Sequence, residues 1–342
     1  MGGIAGSQSR TRASVTSVDV ARRAGVSQTT VSLVLSGKAA GRISDATAEA
    51  VQRAARELGY RPHAAARALR SGISATVGLV VADVTHPFFG LTLRGAHNAA
   101  REAGHVVVLI DDDYGTRGET AIETLQHGAI DGFVFFAADP PASLRDTGAP
   151  PVVVVESEAL GLPNVRLDVE AGTDEALAHL HELGHRRIGL LRSAIRGETF
   201  DRRHARWREH LRAAGEDPDE QVVVDTRFTA KATIDAAREW LARRGDTTAV
   251  LCDDDVIAAG MLSAAQAEGV DVPGELSVIG FDNLDLTRLT FPALTTVATD
   301  PEGLGAAAFE LLHARLQGKR PRNRVLPVHL VVRDSTGPAA RR

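Results

Sequence analysis

Residues 27–35 combine hydroxyl and amide side chains in a way that suits the recognition of DNA bases. Apolar Val31, Val34 and Leu35 recur at helical spacing, so the polar residues occupy the other face of the same helix. Hydroxyl and amide groups can hydrogen-bond base edges in the major groove and the neighbouring phosphates. The polar residues predicted to contact DNA are Ser27, Gln28, Thr29, Thr30 and Ser32.

A pair of short helices would hold these side chains in place. Thr16 and Asp19 have the spacing that begins a first helix, where the hydroxyl caps a free N–H and the carboxylate lies at the positive helix end. Gly25 would end that helix in a tight turn, and Ser27 would cap the next one. This pattern favours a helix-turn-helix domain, which inserts its second helix into the major groove. An ordinary surface hairpin of two helices is the alternative.

A third helix and a short proline-led segment follow. Ser44 begins a helix that runs to Leu58. Pro62 then opens a run of strong helix formers that ends at Arg70, and a helix of this length is not stable alone in water. We therefore expect this segment to become ordered only against a partner. The helix starts supply three further candidate DNA contacts, namely Thr16, Ser44 and Thr47.

Charge is distributed unevenly along the chain. The net charge of the whole sequence is -5, but residues 1–72 contain eleven Lys and Arg against four Asp and Glu, a net of +7, so the other 270 residues carry -12. A basic head on an acidic body is typical of a nucleic-acid-binding module joined to a second functional unit.

Length and composition limit the class of protein. With 342 residues, 44% of them hydrophobic and 24% charged, the chain is typical of globular proteins with two or three domains. No apolar run reaches the roughly 18 residues that cross a membrane, and the first residues lack the apolar centre of a secretory signal, so we expect a cytoplasmic protein. Cys252 is the single cysteine, which excludes an internal disulfide and a cysteine zinc cluster.

Beyond residue 75, apolar strand patterns alternate with amphipathic helix patterns, which predicts an α/β body with parallel sheets. Ligands of such sheets bind at the carboxyl ends of strands, and two lobes would bring those ends to a common cleft. Polar stretches follow the predicted strands at 83–89, 111–113, 156, 196–203, 253–255 and 282–283. Their carboxylates, Asn and Arg beside aromatic rings suit a polyhydroxylated ligand, although loop-capping carboxylates and core Phe residues would give the same pattern.

The run DVARRAGVSQTTVSLVLSG, followed by ISDATAEAV and ELGYRPHAAARALRSG, resembles the head and hinge of the lactose-repressor/galactose-repressor family of bacterial transcription regulators. The resemblance extends over nearly the whole chain. It implies that the hinge helices of two subunits pair over the operator centre. Leu69 would then open a base step in the minor groove, with His63 and Ala66 on the same segment.

The resemblance also shows one departure in the recognition helix. Leu33 stands at the last base-reading position, where relatives often have Arg or His. Leucine cannot make the bidentate bond that Arg makes to guanine, but it can contact a thymine methyl group. We therefore predict that Leu33 contacts DNA and that the operator has a different base at that position, or that recognition relies on Gln28 and Thr29 instead.

The body resembles that of the same family, a periplasmic-binding-protein-like fold with the effector between two lobes. Phe88 and Phe89 occupy the aromatic position and Arg203 that of the cleft arginine. Asp254 replaces the usual Asn of NDxxAxG, here DDVIAAG, and Asp282 is the acidic residue of GYD, here GFD. An Asp in place of Asn exchanges a donor and acceptor for an acceptor alone. The predicted effector contacts are Asp83, Phe88, Phe89, Thr199, Arg203, Asp254 and Asp282.

These inferences predict a small all-α helix-turn-helix head and an α/β body of two doubly wound parallel-sheet lobes. In the family's fold the chain crosses back between lobes near its end. The predicted boundaries are a disordered tail at 1–14, the head at 15–61, the hinge helix and linker at 62–74, a first lobe at 75–162 with 294–322, a second lobe at 163–293 with 323–334, and a disordered tail at 335–342.

The function predicted is that of a homodimeric, sequence-specific transcription regulator that binds a pseudo-palindromic operator in double-stranded DNA. A small polar effector, a sugar or related metabolite, would control it, most simply as a repressor. A solute-binding protein of a transporter is the alternative, and the basic head argues against it. The sequence has no GxxxxGKS/T or GxGxxG loop and no nucleophile with a base, so we predict no cofactor, no metal, no catalytic residues and no membrane partner.

Overall fold

The computed structural model describes residues 15–35, 39–60, 74–112, 118–125, 129–136, 140–145, 148–158 and 161–340. The chain divides into two units, Met1–Ser74 and Ala75–Arg342. The predicted tail at 1–14 and the predicted hinge contacts His63, Ala66 and Leu69 lie outside the described residues. Among the helices that are described, none is both long and apolar enough to span a membrane.

The head contains three helices, α1 at Ser17–Ala24, α2 at Gln28–Leu35 and α3 at Asp45–Glu57. Reciprocal capping begins α1 as predicted, because Thr16 Oγ1 accepts from the N–H of Asp19 while the Asp19 carboxylate accepts from the N–H of Thr16. Gly25 ends α1 with a φ of 68°, a left-handed conformation that glycine adopts easily. A small core of mainly Val and Ala side chains holds the three helices together.

In the body, the described strands form two six-stranded sheets. The first sheet contains β1 (Thr76–Val81), β2 (Val106–Asp111), β3 (Gly132–Phe136), β4 (Val152–Val155), β5 (Asn164–Leu167) and β11 (Arg324–Leu326), in the order β11-β5-β4-β3-β1-β2. The second contains β6 (Ile188–Ser193), β7 (Val223–Thr226), β8 (Ala249–Cys252), β9 (Ser277–Asp282), β10 (Thr295–Ala298) and β12 (His329–Val331), in the order β12-β10-β9-β8-β6-β7. All neighbours are parallel except β10 and β12.

The helices of the body cover both faces of these sheets, which is why central strands such as the all-valine β4 are buried throughout. The helices are α4 (Pro87–Glu102), α5 (Gly118–Leu125), α6 (Val169–Glu182), α7 (Glu198–Ala213), α8 (Ala230–Arg243), α9 (Asp255–Ala267) and α10 (Pro301–Leu316). The predicted class, a helical head with two doubly wound parallel-sheet lobes, is confirmed.

Three short strands correct the predicted lobe boundaries. Strand β5 at Asn164–Leu167 pairs with β4 in the first sheet, so the first lobe continues past 162. Strand β10 at Thr295–Ala298 pairs with β9 in the second sheet, so the chain returns to the first lobe only after β10. Strand β11 at Arg324–Leu326 pairs with β5 and belongs to the first lobe. Short strands carry no sequence signal that tells which of two sheets they join, because both sheets bury the same residue types.

The segment after residue 334 is ordered up to residue 340, which corrects the predicted disordered tail. Ser335 is fully buried; its hydroxyl donates to Val278 O at 2.6 Å and accepts from the N–H of Thr295 at 2.8 Å. The carbonyl of Gly337 bonds to the ring Nε2 of His185 at 3.0 Å. These residues instead complete hydrogen bonds of the second lobe.

Candidate functional site

A cavity lies between the two lobes at the carboxyl ends of strands from both sheets. It contains about 680 Å³ of empty space when its open mouth is counted, which is the size of a small-molecule site. Its walls are largely apolar, with a few polar groups that converge on the space. The aromatic residues of the lining are Phe88, Phe89, Phe136, Phe200, Phe228 and Phe281.

Three of these rings form a perpendicular cluster in the first lobe. Phe89 and Phe136 lie 5.0 Å apart between ring centroids, and Phe88 contacts both at 6.1 and 5.6 Å. Phe88 is buried and Phe89 is only partly buried, so Phe88 supports the cluster while Phe89 offers a surface to the cavity. Helix α4 begins at Pro87, which places both rings at its first turn.

Arg203 projects from α7 into the cavity with little exposure to solvent. Its guanidinium group lies 4.1 Å from the ring centre of Phe281 and 4.8 Å from that of Phe200, which are cation–π distances. Nη1 donates to the carbonyl of Asp253 at 2.8 Å. Nε has no hydrogen-bond partner among the described residues, so this donor remains for a ligand.

Asp254 caps α9 and still has one oxygen in the cavity. Oδ1 accepts from the N–H groups of Val256 and Ile257, so Asp254, and not Asp255, is the capping residue of this helix. Oδ2 lies 3.1 Å from Nε2 of His86, which begins α4 in the first lobe. The contact therefore crosses the cleft between buried atoms.

The tautomer of the neutral His86 ring follows from its other ring nitrogen. Nδ1 accepts from the N–H of Phe88 at 3.3 Å, so in the neutral ring the proton resides on Nε2 and faces Asp254. The pair is close but misaligned: within the described part of the chain neither His86 Nε2 nor Asp254 Oδ2 has a hydrogen-bond partner. A ligand hydroxyl placed there could accept from His86 and donate to Asp254.

Asp282 ends β9 with a φ of 107°, an unusual backbone for a residue with a side chain. Removal from solvent, together with the nearby carboxylates of Asp254 and Asp255, raises the pKa of Asp282 well above its usual value. Burial likewise raises the pKa of Asp255, whose oxygens accept from the Thr296 hydroxyl and the N–H of Leu284. Asp255 thus has a structural role, whereas Asp282 lines the cavity.

Glu156 lies on the first-lobe wall, beside other contacts that cross the cleft. Its backbone φ is 60°, Oε1 accepts from the N–H of Leu167, and burial raises the pKa of its carboxyl group. At the mouth, Glu198 of α7 accepts from the hydroxyl of Ser157 at 2.9 Å and from the N–H of Glu158 at 2.7 Å. The lobes are therefore held together by polar contacts as well as by apolar walls.

The structure brings most of the predicted cleft residues together. The cavity lining includes Phe88, Phe89, Thr199, Arg203, Asp254 and Asp282. Asp83 is not part of the lining; its Oδ1 accepts from the N–H and hydroxyl of Thr85 at 2.8 and 2.6 Å, which is a loop-capping arrangement. The sequence predicted His86 only as one member of the strand-end stretch 83–89, and it gave no prediction for the cavity residues Phe136 and Phe228.

The predicted recognition helix presents a polar surface. Ser27, Gln28, Thr29 and Ser32 are exposed, while Thr30 and Leu33 are half-buried. Ser27 Oγ caps α2 by accepting from the N–H of Thr30 at 3.1 Å. Gln28 Nε2 donates to the hydroxyl of Ser17 at 2.9 Å, which holds its amide at the start of the helix.

The other predicted DNA contacts of the head lie at helix starts. Thr16 is exposed in the capping box of α1. Ser44 caps α3, and its hydroxyl lies 2.9 Å from that of the half-buried Thr47.

Two segments of the chain match known families. Residues 16–63 match the bacterial regulatory proteins of the lacI family, and residues 177–336 match the periplasmic binding protein-like domain. The helix-turn-helix head and the two-lobed cleft thus define the class, a DNA-binding head joined to a ligand-binding body.

Relatives of nearly full length narrow the assignment. The chain is 34% identical over 326 residues to the HTH-type transcriptional repressor CytR of Escherichia coli (strain K12), which covers 93% of this chain and 95% of the relative. The structure of the Lac repressor dimer bound to operator and the anti-inducer ONPF aligns with a TM-score of 0.86 at 26% identity, covering 95% of this chain and 100% of that one. A transcriptional regulator CelR–cellobiose complex aligns with a TM-score of 0.71 at 32% identity, covering 94% and 99%. The chain belongs to the lacI family of bacterial regulatory proteins and is a DNA-binding transcription regulator.

Proposed function

We propose that the protein is a homodimeric transcriptional repressor whose affinity for a pseudo-palindromic operator is controlled by a small, hydroxyl-rich effector in the cleft. The observation that carries the proposal is the cavity between the lobes, where carboxylate acceptors and one buried arginine converge on aromatic walls. CytR is a repressor, and the CelR structure holds cellobiose. The first agrees with a role as repressor, and the second agrees with a sugar or related metabolite as effector.

Each proposed effector contact would bind the ligand in a different way. Phe89 would lie against a ring face of the ligand, and Arg203 would donate through Nε. Asp254 would accept from a ligand hydroxyl, since it lacks the amide donor that an Asn would supply. Asp282 would bind a second hydroxyl of the ligand. Thr199 lies on the second-lobe side of the cavity, and Phe88 supports Phe89 from behind.

Control of DNA affinity would follow from a shift between two arrangements of the lobes. Contacts such as His86 with Asp254 and Ser157 with Glu198 form only when the lobes are close. An effector that binds one arrangement more tightly increases its population, and the DNA affinity changes with it. The coupling must be reciprocal, so operator DNA changes effector affinity by the same factor.

Two exposed apolar sites support the proposed homodimer. On the first lobe, the edge strand β2 exposes Val106, 58% accessible. On the second lobe, the loop before β10 exposes Leu289 at 85% and Phe291 at 92%. Large apolar side chains grouped on a surface are typical of protein interfaces, and the Lac repressor structure is a dimer.

For the operator, we propose base and phosphate contacts from the start of α2, where Gln28 and Thr29 are exposed, with Leu33 against a thymine methyl. Caps such as Thr16 and Ser44, with Thr47 beside it, would position the head on phosphates. The hinge residues His63, Ala66 and Leu69 are proposed to act at the operator centre, as the family resemblance implies.

A two-part experiment tests the proposal. Selection from a random duplex pool should yield a palindromic site, and a thermal-shift screen of sugars and nucleosides should find a ligand that raises the melting temperature and changes the affinity for that site. A protein that responds to a sugar but prefers no duplex would instead be a solute-binding protein.

Variants of Arg203 test the cleft itself. Arg203→Ala, or Arg203→Lys where packing must be kept, should abolish the ligand shift and leave operator affinity within about twofold, because only the cleft is altered. Arg212→Ala, an exposed residue of the same helix, is the matched control and should change neither property. Lost operator binding with an intact ligand response would contradict the assignment.

A further inference from the structure

A basic segment of the acidic body is left unexplained by the effector cleft. Residues 313–324, HARLQGKRPRNR, contain five Lys and Arg and no Asp or Glu. They form the end of α10 and the turn into β11. The charge is notable because the body as a whole is acidic, with -12 over residues 73–342 against +7 for residues 1–72.

Most of these cations are available to a partner. Lys319, Arg320 and Arg322 are exposed, and Arg315 is half-buried. None of these four forms an ion pair with a residue in the described part of the chain. Arg324 differs, since it pairs with Glu310 at 2.6 Å, and it is left out of the group. We call Arg315, Lys319, Arg320 and Arg322 the basic edge.

The topology places the basic edge on the side of the first lobe that lies away from the cleft. Helix α10 begins beside the crossing between lobes and runs for 16 residues, roughly 24 Å. It ends where β11 starts, and β11 is parallel to the neighbouring strands, whose carboxyl ends form the cleft. The basic edge and the cleft therefore occupy opposite ends of this lobe.

The chain enters the body on this same side of the first lobe, away from the cleft. Strand β1 starts at Thr76, and its first pairings are with the starts of β2 and β3. The rings of His105, just before β2, and His313 of α10 lie 5.3 Å apart, which connects this entry point to the end of α10. Residues 61–73 link it to the head, and a stretch of that length reaches at most about 45 Å when fully extended.

We propose that the basic edge binds the phosphate backbone of the DNA held by the head, as a contact of the body that does not depend on base sequence. The inference rests on the proposed operator binding. Four cations that pair with no described carboxylate lie within eight residues of one another, which suits a polyanion. The covalent link to the head keeps bound duplex DNA at high local concentration near the body. An acidic protein would also fit the charge, but the covalent link to a DNA-binding head favours DNA.

The test compares two triple variants of the full-length chain. Lys319→Ala/Arg320→Ala/Arg322→Ala removes three exposed charges from the basic edge. Arg186→Ala/Arg212→Ala/Arg243→Ala removes three exposed charges from the second lobe, at or after helix ends on the side of that lobe away from the cleft. Binding to the selected operator duplex and to a random duplex is measured over a salt series.

The basic-edge variant should bind both duplexes at least tenfold more weakly at low salt, and its plot of log affinity against log salt should be less steep by about two to three. Loss by an equal factor on both duplexes identifies phosphate contacts, because base contacts would affect the operator alone. The second-lobe variant should match the wild type within twofold. A lysine variant, Arg320→Lys/Arg322→Lys, should retain affinity, since a phosphate contact needs charge and not a planar group.

Unchanged affinity and salt dependence in the basic-edge variant, with normal wild-type binding, would overturn the inference and leave the proposed function intact. Equal weakening in both triple variants would also overturn it, because the effect would then be one of net charge. A wild-type chain that binds no duplex would instead refute the proposed operator binding. Thermal unfolding of each variant distinguishes these results from loss of the fold.

Discussion

At the scale of single residues, the cleft gathers acidic groups that the fold alone would not need. Asp254 and Asp282 face one cavity with Asp255 buried behind them. Removal of Asp282 from solvent, and after it the nearby carboxylates of Asp254 and Asp255, raises the pKa of Asp282. Such an arrangement reduces stability and is expected where ligand hydroxyls must be bound. The cross-cleft position of His86 supplies a donor that Asp254 cannot.

The pKa of Asp282 predicts how stability depends on pH. Because the folded-state pKa is raised, the native protein keeps the proton of Asp282 above about pH 4, where the unfolded chain has released it. The contribution of Asp282 to the free energy of unfolding therefore falls as the pH rises from about 4 through the folded-state pKa. Asp282→Asn should therefore melt a few degrees higher than the wild type at pH 8 and differ less at pH 5. Thermal unfolding at both pH values measures this. A variant that is less stable at pH 8 would mean that ionised Asp282 is stabilised by Arg203.

At the scale of elements, the first lobe depends on one close helix crossing. A Cβ added to Gly95 of α4 would lie 1.8 Å from the carbonyl oxygen of Glu302, and one added to Gly305 of α10 would lie 1.9 Å from that of Thr92. Two glycines thus let the backbones of α4 and α10 touch. This contact connects the helix that carries Phe88 and Phe89 to the helix that ends in the basic edge.

Substitution of Gly95 tests the crossing. Gly95→Ala should destabilise the body by about 2–3 kcal/mol, because the methyl group must displace backbone. Gly90→Ala in the same helix has open space and should be neutral or stabilise by up to about 1 kcal/mol. Urea unfolding of both variants gives the comparison. Similar urea midpoints for the two variants would show that α4 and α10 can move apart with little loss of stability.

At the scale of the whole molecule, the body consists of two lobes, and the chain passes between them more than once. Residues 335–337 belong to the second lobe. Residues that follow Asp334 bind the amino ends of β9 and β10, where Ser335 is fully buried. Most of the contacts that join β10, β9 and this segment are between residues far apart in sequence. The second lobe therefore depends on the hydrogen bonds of Ser335 and Gly337.

Truncation tests this dependence. A chain that ends at Asp334 loses the hydrogen bonds of Ser335 and Gly337 and leaves buried partners in Val278 and Thr295, so its melting temperature should fall by several degrees. A chain that ends at Ala340 loses only two residues and should melt as the full chain does. Effector binding, followed by thermal shift, should weaken with the first truncation. Equal melting of all three chains would show that the segment is not needed.

The sequence alone determined the head and most of the cleft, because both are encoded by local signals. The capping box at Thr16, the turn at Gly25 and the polar face of α2 are set by residues a few positions apart. Arg203, Asp254 and Asp282 lie in stretches that follow predicted strands, where the family resemblance placed the cleft contacts. The tertiary structure alone decided which sheet β5, β10 and β11 join and brought His86 to Asp254. It also buried Ser335 and placed the basic edge opposite the cleft. These features depend on contacts between distant parts of the chain, and such pairings leave no periodic trace in the residues that make them.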